Sequence, residues 1–179
     1  MQKELKALLA LWKRTRSPRV ADLIDRVSAR FEVKPVRASS VPARVKELQK
    51  LAARAKTDPT LVLSVLATEW PGTWQGALPM LRAVLRLPED PRVARALAEQ
   101  VDATRYDTWT SKTFYRPLFT RLNKLGDSRQ LELLERQLSR SKPTYYAQDM
   151  RAMEEQAVKL HRALPGPGVL SAKDETRVS

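Results

Sequence analysis

The chain has 179 residues, 33 Lys and Arg against 20 Asp and Glu, and a formal charge of +13. It contains no cysteine, which removes disulfides, thiolate nucleophiles and Cys-ligated zinc. No apolar run approaches the roughly 18 residues of a membrane span, and Met1-Gln2-Lys3-Glu4 leads into an amphipathic helix rather than a secretory signal. Residues 1–56 hold 15 basic and 5 acidic side chains, so most of the excess charge is N-terminal. The absence of cysteine suits a reducing cytoplasm.

Leu5, Leu8, Leu9 and Trp12 recur at i, i+3, i+4, i+7 and predict a first helix over 2–14. Ser17-Pro18 opens a second, with Val20, Ile24, Val27 and Phe31 inward. Together, residues 1–31 read as a first hairpin. Residues 32–42, EVKPVRASSVP, read as a linker because Pro35 and Pro42 oppose continuous helix. The third helix, 43–56, sets Val45, Leu48, Leu51, Ala52 and Ala55 on one face and Lys46, Lys50 and Arg54 on the other. Asp58-Pro59 opens a fourth that is apolar nearly all round, hence central and buried, ended by Pro71-Gly72.

Further helices are expected at 76–87 and 91–101, then a polar turn at 102–111, then helices at 113–125, 128–140 and 144–163. Gly126 is expected to take the left-handed position that closes the helix before it. The end, 164–179, reads as a disordered tail or interdomain linker. With no period-2 pattern of any length, the fold is all-α: one helical domain over 1–163 of stacked antiparallel helix pairs, made of the first hairpin 1–31, the linker 32–42 and the remaining helices 43–163.

The stretch Leu85–Leu97, LRLPEDPRVARAL, contains the signal that organises this array. Its Asp-Pro opening has variants, so that Ser or Asp stands at 17, 58, 90 and 127, or 41, 32 and 37 residues apart. Such recurrence marks a helical repeat. The segment 77–101, with Pro79, Leu81, Leu85 and Asp90-Pro91-Arg92-Val93-Ala94, resembles a HEAT-like or armadillo-like repeat. Pro117, Leu118, Leu122, Asp127, Arg129 and Leu131 repeat the pattern. The stretch 110–126 is also similar to N-terminal repeats of uncharacterised bacterial multidomain proteins. The resemblance spans about residues 8–140 and implies a short α-solenoid of about nine helices, offering a surface to protein or nucleic acid. Asp58-Pro59-Thr60 lacks the Arg and Ser17 replaces the Asp, so a continuous Asp–Arg ladder is not implied.

Catalytic chemistry has little to stand on. The single histidine, His161, is expected at the surface as a helix C-terminal cation. Glu89-Asp90 and Glu154-Glu155 read as solvated pairs, with no spacing that would hold a metal, and no phosphate-binding glycine loop occurs. Arg105, Tyr106, Asp107, Trp109 and Lys112 share residue types with DNA glycosylases built on HEAT-like repeats, but no motif carries positions across. Packing by Tyr106 and Trp109 is the simpler reading of that turn. Trp12 is expected in the core, and Trp74, beside Pro71-Gly72, is the tryptophan expected to be exposed.

The candidate binding residues are cationic: Lys13, Arg14, Arg16 and Arg19 around the first turn, Lys46, Lys50 and Arg54 on the third helix, and Arg105, Trp109 and Lys112. The leading expectation is a non-enzymatic interaction module without cofactor, metal or small-molecule substrate. Its partner would be an acidic protein surface, or another domain of the same polypeptide. The alternative is sequence-nonspecific DNA or RNA binding through the basic N-terminal half. A third reading is a HEAT-like DNA glycosylase.

Overall fold

The computed structural model describes residues 2–70, 74–103, 108–140, 148–166 and 170–176. All regular structure among them is helical: α1 Gln2–Thr15, α2 Pro18–Ser28, α3 Val41–Ala55, α4 Val62–Leu66, α5 Trp74–Val84, α6 Pro91–Ala103, α7 Thr108–Leu125, α8 Leu131–Arg140, α9 Gln148–Arg162 and α10 Ala172–Glu175. Short 3-10 turns, Pro59–Leu61 and Ser128–Gln130, lead into α4 and α8. Pro18, Pro59 and Pro91 all stand at helix or turn beginnings, where a missing N–H costs nothing.

The punctuation explains the starts. Asp58, Asp90 and Asp127 each accept the backbone N–H two residues on, at 3.1, 2.9 and 3.0 Å. Each thereby satisfies one donor that a helix start leaves open. Gln130 returns a bond to the Asp127 N–H, completing a capping box. Ser40 caps α3 by accepting the Ala43 N–H, three residues on, at 3.3 Å. Ser17 departs from expectation, for its side chain makes no cap bond.

Several boundaries differ from those the sequence predicts. Helix α3 starts at Val41, taking Pro42 into its first turn. Helix α4 is a single short stretch ending at Leu66, with Ser64 buried and Leu63 only half-buried, so it is not apolar all round. Pro71-Gly72 lies outside the described residues. Helix α6 runs on to Ala103 and α7 begins at Thr108, which places Trp109 and Lys112 on a helix instead of a turn. The left-handed residue is Arg16, at φ 52, directly after α1, and not Gly126.

Helices α3, α5, α7 and α9 pack successively on one another, as do α4, α6 and α8, and α6–α7 and α8–α9 contacts join the two rows. Between them lies the main core, including Leu48, Met80, Leu81, Leu97, Phe114, Leu118, Phe119 and Leu122. At about 1.5–3 kcal/mol for each large side chain removed from water, this row of contacts is the main source of stability.

The first hairpin has its own cluster, with Leu5, Leu9, Trp12, Val20, Ala21, Ile24 and Val27. It does not continue either row. It lies across the turns that open α4, α6 and α8. Gln2 reaches Asp58 at 3.2 Å, Trp12 reaches Asp127 at 3.2 Å, and Ser28 meets Arg92 at 3.0 Å. The ten steps from Gln2 to Trp12 span about 15 Å of helix. The sequence gives no sign of this placement, because amphipathicity fixes which face is buried but not against what.

The linker 32–38 runs extended beside α4. The Lys34 N–H donates to Ser64 Oγ at 2.9 Å and the Val36 N–H to Thr68 Oγ1 at 3.0 Å. Two residues of extended chain and four of helix both advance about 6 Å, so the two spacings match. At the other end, residues 170–176 form a turn of helix capped by Ser171, and Leu170 packs on the hairpin cluster. This part of the expected tail is structured.

Candidate partner-binding surface

Two arginines that the repeat motif singles out are committed to the fold. Arg92 places Nε on Asp90 Oδ1 at 2.9 Å and Nη2 on Asp90 Oδ2 at 2.6 Å. Its remaining reach goes to Ser28 Oγ and to the Pro59 carbonyl at 2.8 Å. Asp90 and Arg92 are 0% and 3% exposed, so this pair is an internal strut and not a ligand site. Arg129 repeats the geometry on Asp127 and extends Nη1 to Asp22 and Asp25 at 3.1 and 2.9 Å. Burial works against the Arg129 cation, but the Asp127 hydrogen bonds and charge, with Asp25, raise its pKa. At the third equivalent position, Thr60 bonds Asp58 with both hydroxyl and amide.

The structure divides the predicted cations. Around the hairpin turn, Arg14 bonds Asp174 at 2.5 Å, Arg19 lies 3.8 Å from Glu175, and Arg16 reaches Glu89 at 3.3 Å. Arg16 also stacks on Trp12, its guanidinium carbon 4.3 Å from the ring centre. Lys13 is exposed. On α3, Lys46, Lys50 and Arg54 are exposed, and Lys50 pairs with Glu47 at 2.7 Å. The hydrogen bond from Gln2 to Asp58 puts the start of α1 at the C-terminal end of α3. The hairpin turn therefore lies at the far end of α1 from that junction. Arg105 falls outside the described residues, and so do the side chains of Trp109 and Lys112.

A grouping not singled out from the sequence appears at this α1–α3 junction. Lys3 and Lys6 on α1 and Arg54 and Lys56 at the end of α3 are exposed, and none has an acidic partner within 4 Å among the described residues. Asp58 sits among them. Its carboxyl is held below its ordinary pKa, first by the Thr60 hydroxyl and also by Gln2 and the charge of Lys6. The signal in the sequence is the i, i+3, i+10 placement of Lys3, Lys6 and Lys13 on one helix face.

The other predicted positions resolve differently. Asp90 and Glu154 are buried rather than solvated, while Glu89 and Glu155 are exposed and paired with Arg16 and Arg151. His161 is fully buried, not at the surface. Its Nδ1–H donates to the Ala157 carbonyl at 2.7 Å, its Nε2 has no hydrogen-bond partner, and burial lowers its pKa. Trp12 is core as expected, Trp70 packs edge-on to Phe114, and the Trp74 side chain lies outside the described residues. Among the described residues no group of three His, Asp or Glu could hold a metal ion. None of their helices is long and apolar enough to cross a membrane.

A cleft of about 480 Å³ opens between α2, α6 and α8, lined by Asp22, Asp25, Arg95, Glu99, Arg129 and Glu132 among others. Its central charges satisfy one another: Arg95 meets Asp25 and Glu99, and Arg129 meets Asp22 and Asp25. Compared with protein-family models, curated proteins and solved structures, the chain matches none.

Proposed function

We propose that the chain is a non-enzymatic interaction module built as a short HEAT-like α-solenoid, and that it binds an acidic surface on a partner protein. The two rows α3–α5–α7–α9 and α4–α6–α8 support the solenoid reading, since stacked pairs contact mainly their neighbours. The observation that carries the binding reading is the cationic junction of Lys3, Lys6, Arg54 and Lys56, extended along α3 by Lys46. At the hairpin turn Arg14, Arg16 and Arg19 meet carboxylates of the chain itself; at this junction four cations from two helices face water together. Such a field steers and holds an acidic partner, most strongly at low ionic strength.

Contacts to phosphate alone would serve duplex DNA, which makes nucleic acid the competing reading. The test is a fluorescence-anisotropy titration of the chain against labelled polyglutamate and against duplex DNA, each at two salt concentrations. The proposal predicts salt-sensitive polyglutamate binding that a Lys6→Glu, Arg54→Glu, Lys56→Glu variant loses. Tight duplex binding that polyglutamate cannot compete away would replace it with the nucleic-acid reading. Failure to bind either at low salt would end both.

A further inference from the structure

The hairpin turn already holds an acidic segment, the chain's own. Leu170 packs on the cluster formed by α1 and α2. Ser171 then caps the single turn of α10, its Oγ accepting the Asp174 N–H and donating to Asp174 Oδ2 at 2.7 Å. Asp174 Oδ1 accepts from Arg14 Nη2 at 2.5 Å, and Glu175 Oε1 lies 3.8 Å from Arg19 Nη1. The Asp174 side chain is only 8% exposed although Arg14 is 57% exposed, so the carboxylate enters the hairpin face. One apolar side chain and two carboxylates thus meet residues of α1 and α2, while the Ser171 hydroxyl shapes the turn that presents them.

We infer that this face of the hairpin is a docking site for a short acidic helical turn on a partner protein, and that residues 170–176 occupy it in cis as a displaceable latch. The segment chemistry is set by the occupant: an apolar residue, a Ser cap, then Asp-Glu. Displacement is easy for two reasons. A four-residue helix has no stability of its own. The Arg19–Glu175 pair joins two half-exposed groups that gain little from meeting in water. The inference rests on the reading that the chain binds acidic protein, but on Arg14 and Arg19 instead of the α1–α3 junction.

The test uses the full chain. A Leu170→Ala, Asp174→Asn, Glu175→Gln variant opens the latch, and the probe is the synthetic peptide Leu-Ser-Ala-Lys-Asp-Glu-Thr. Binding is followed by backbone amide shifts up to millimolar peptide. A tethered copy acts at roughly millimolar effective concentration, so the opened variant is expected to bind the peptide about tenfold or more tighter than the wild type. Adding Arg14→Glu and Arg19→Glu should abolish that binding. Equal affinity of the two chains overturns the inference, as does no binding to the opened variant, or its binding duplex DNA while ignoring the peptide.

Should the triple variant lose its far-UV helical signal, Asp174→Asn alone carries the same comparison. The wild type offers a second readout. Excess peptide should speed hydrogen exchange of the amides at 174–176, and unchanged exchange counts against the latch. Loss of polyglutamate binding at Lys6, Arg54 and Lys56 leaves these outcomes untouched, so the two readings fail separately.

Discussion

His161 and Gly126 are in direct contact across the α7–α9 packing: a Cβ placed on Gly126 would lie 1.9 Å from His161 Nε2. No rotamer-free backbone turn demands the glycine, since Gly126 is not in the left-handed region. The imidazole demands it. Gly126→Ala should therefore destabilise the fold by about 1–3 kcal/mol, as overpacking of a buried contact does. Urea unfolding measures it. The Gly126→Ala, His161→Ala double variant should lose clearly less than the sum of the two singles, because the second change removes the clash made by the first.

The same histidine gives stability a pH dependence. Burial lowers its pKa in the folded state below the ordinary value of 6.5, so the unfolded chain binds the proton more readily. The contribution is complete above about pH 6.5 and is lost as pH falls from there toward the lower folded value. Comparing urea midpoints of the wild type and His161→Gln between pH 8 and pH 5.5 checks this. The wild type should weaken relative to the variant on acidification; parallel curves would contradict the burial of the ring.

Asp90 and Arg92 form a buried pair, and breaking one side leaves a charge without compensation. Asp90→Ala should cost about 3–5 kcal/mol, while Asp90→Ala combined with Arg92→Met should recover part of that loss. Chemical denaturation of the three variants decides between this and a merely additive outcome.

Ser64 and Thr68 hold the linker by its amides. Ser64→Ala and Thr68→Val should each cost about 1 kcal/mol, and each should speed hydrogen exchange at its own partner, Lys34 or Val36, more than elsewhere. Equal acceleration throughout the chain would mean the linker is not held there.

Helix identity was legible because it depends on local pattern. Leu5, Leu9 and Trp12, or Leu118, Leu122 and Leu125, declare their buried face by spacing, and Asp58, Asp90 and Asp127 declare where helices open. What the spacing leaves open is the partner of each face. Asp22 and Asp25 look like solvated carboxylates until α2 is laid against Arg129. Arg14 and Arg19 look like free cations until residues 170–176 return to them. His161 reads as a C-terminal cap until α9 meets Gly126. Each is a long-range juxtaposition, and a charge pattern alone is equally compatible with water. The pairing of Trp12 with Asp127, 115 residues apart, is of the same kind.

The binding of an acidic partner at the α1–α3 junction is tested most directly by lysine footprinting. The chain is treated with limiting acetylating reagent, alone and with saturating polyglutamate, and modification is read by peptide mass spectrometry. Protection at Lys3, Lys6, Lys46 and Lys56, with Lys159 and Lys173 unchanged, is the result the account predicts. Uniform protection of all lysines, or none at the α1–α3 junction while polyglutamate is bound, would contradict it.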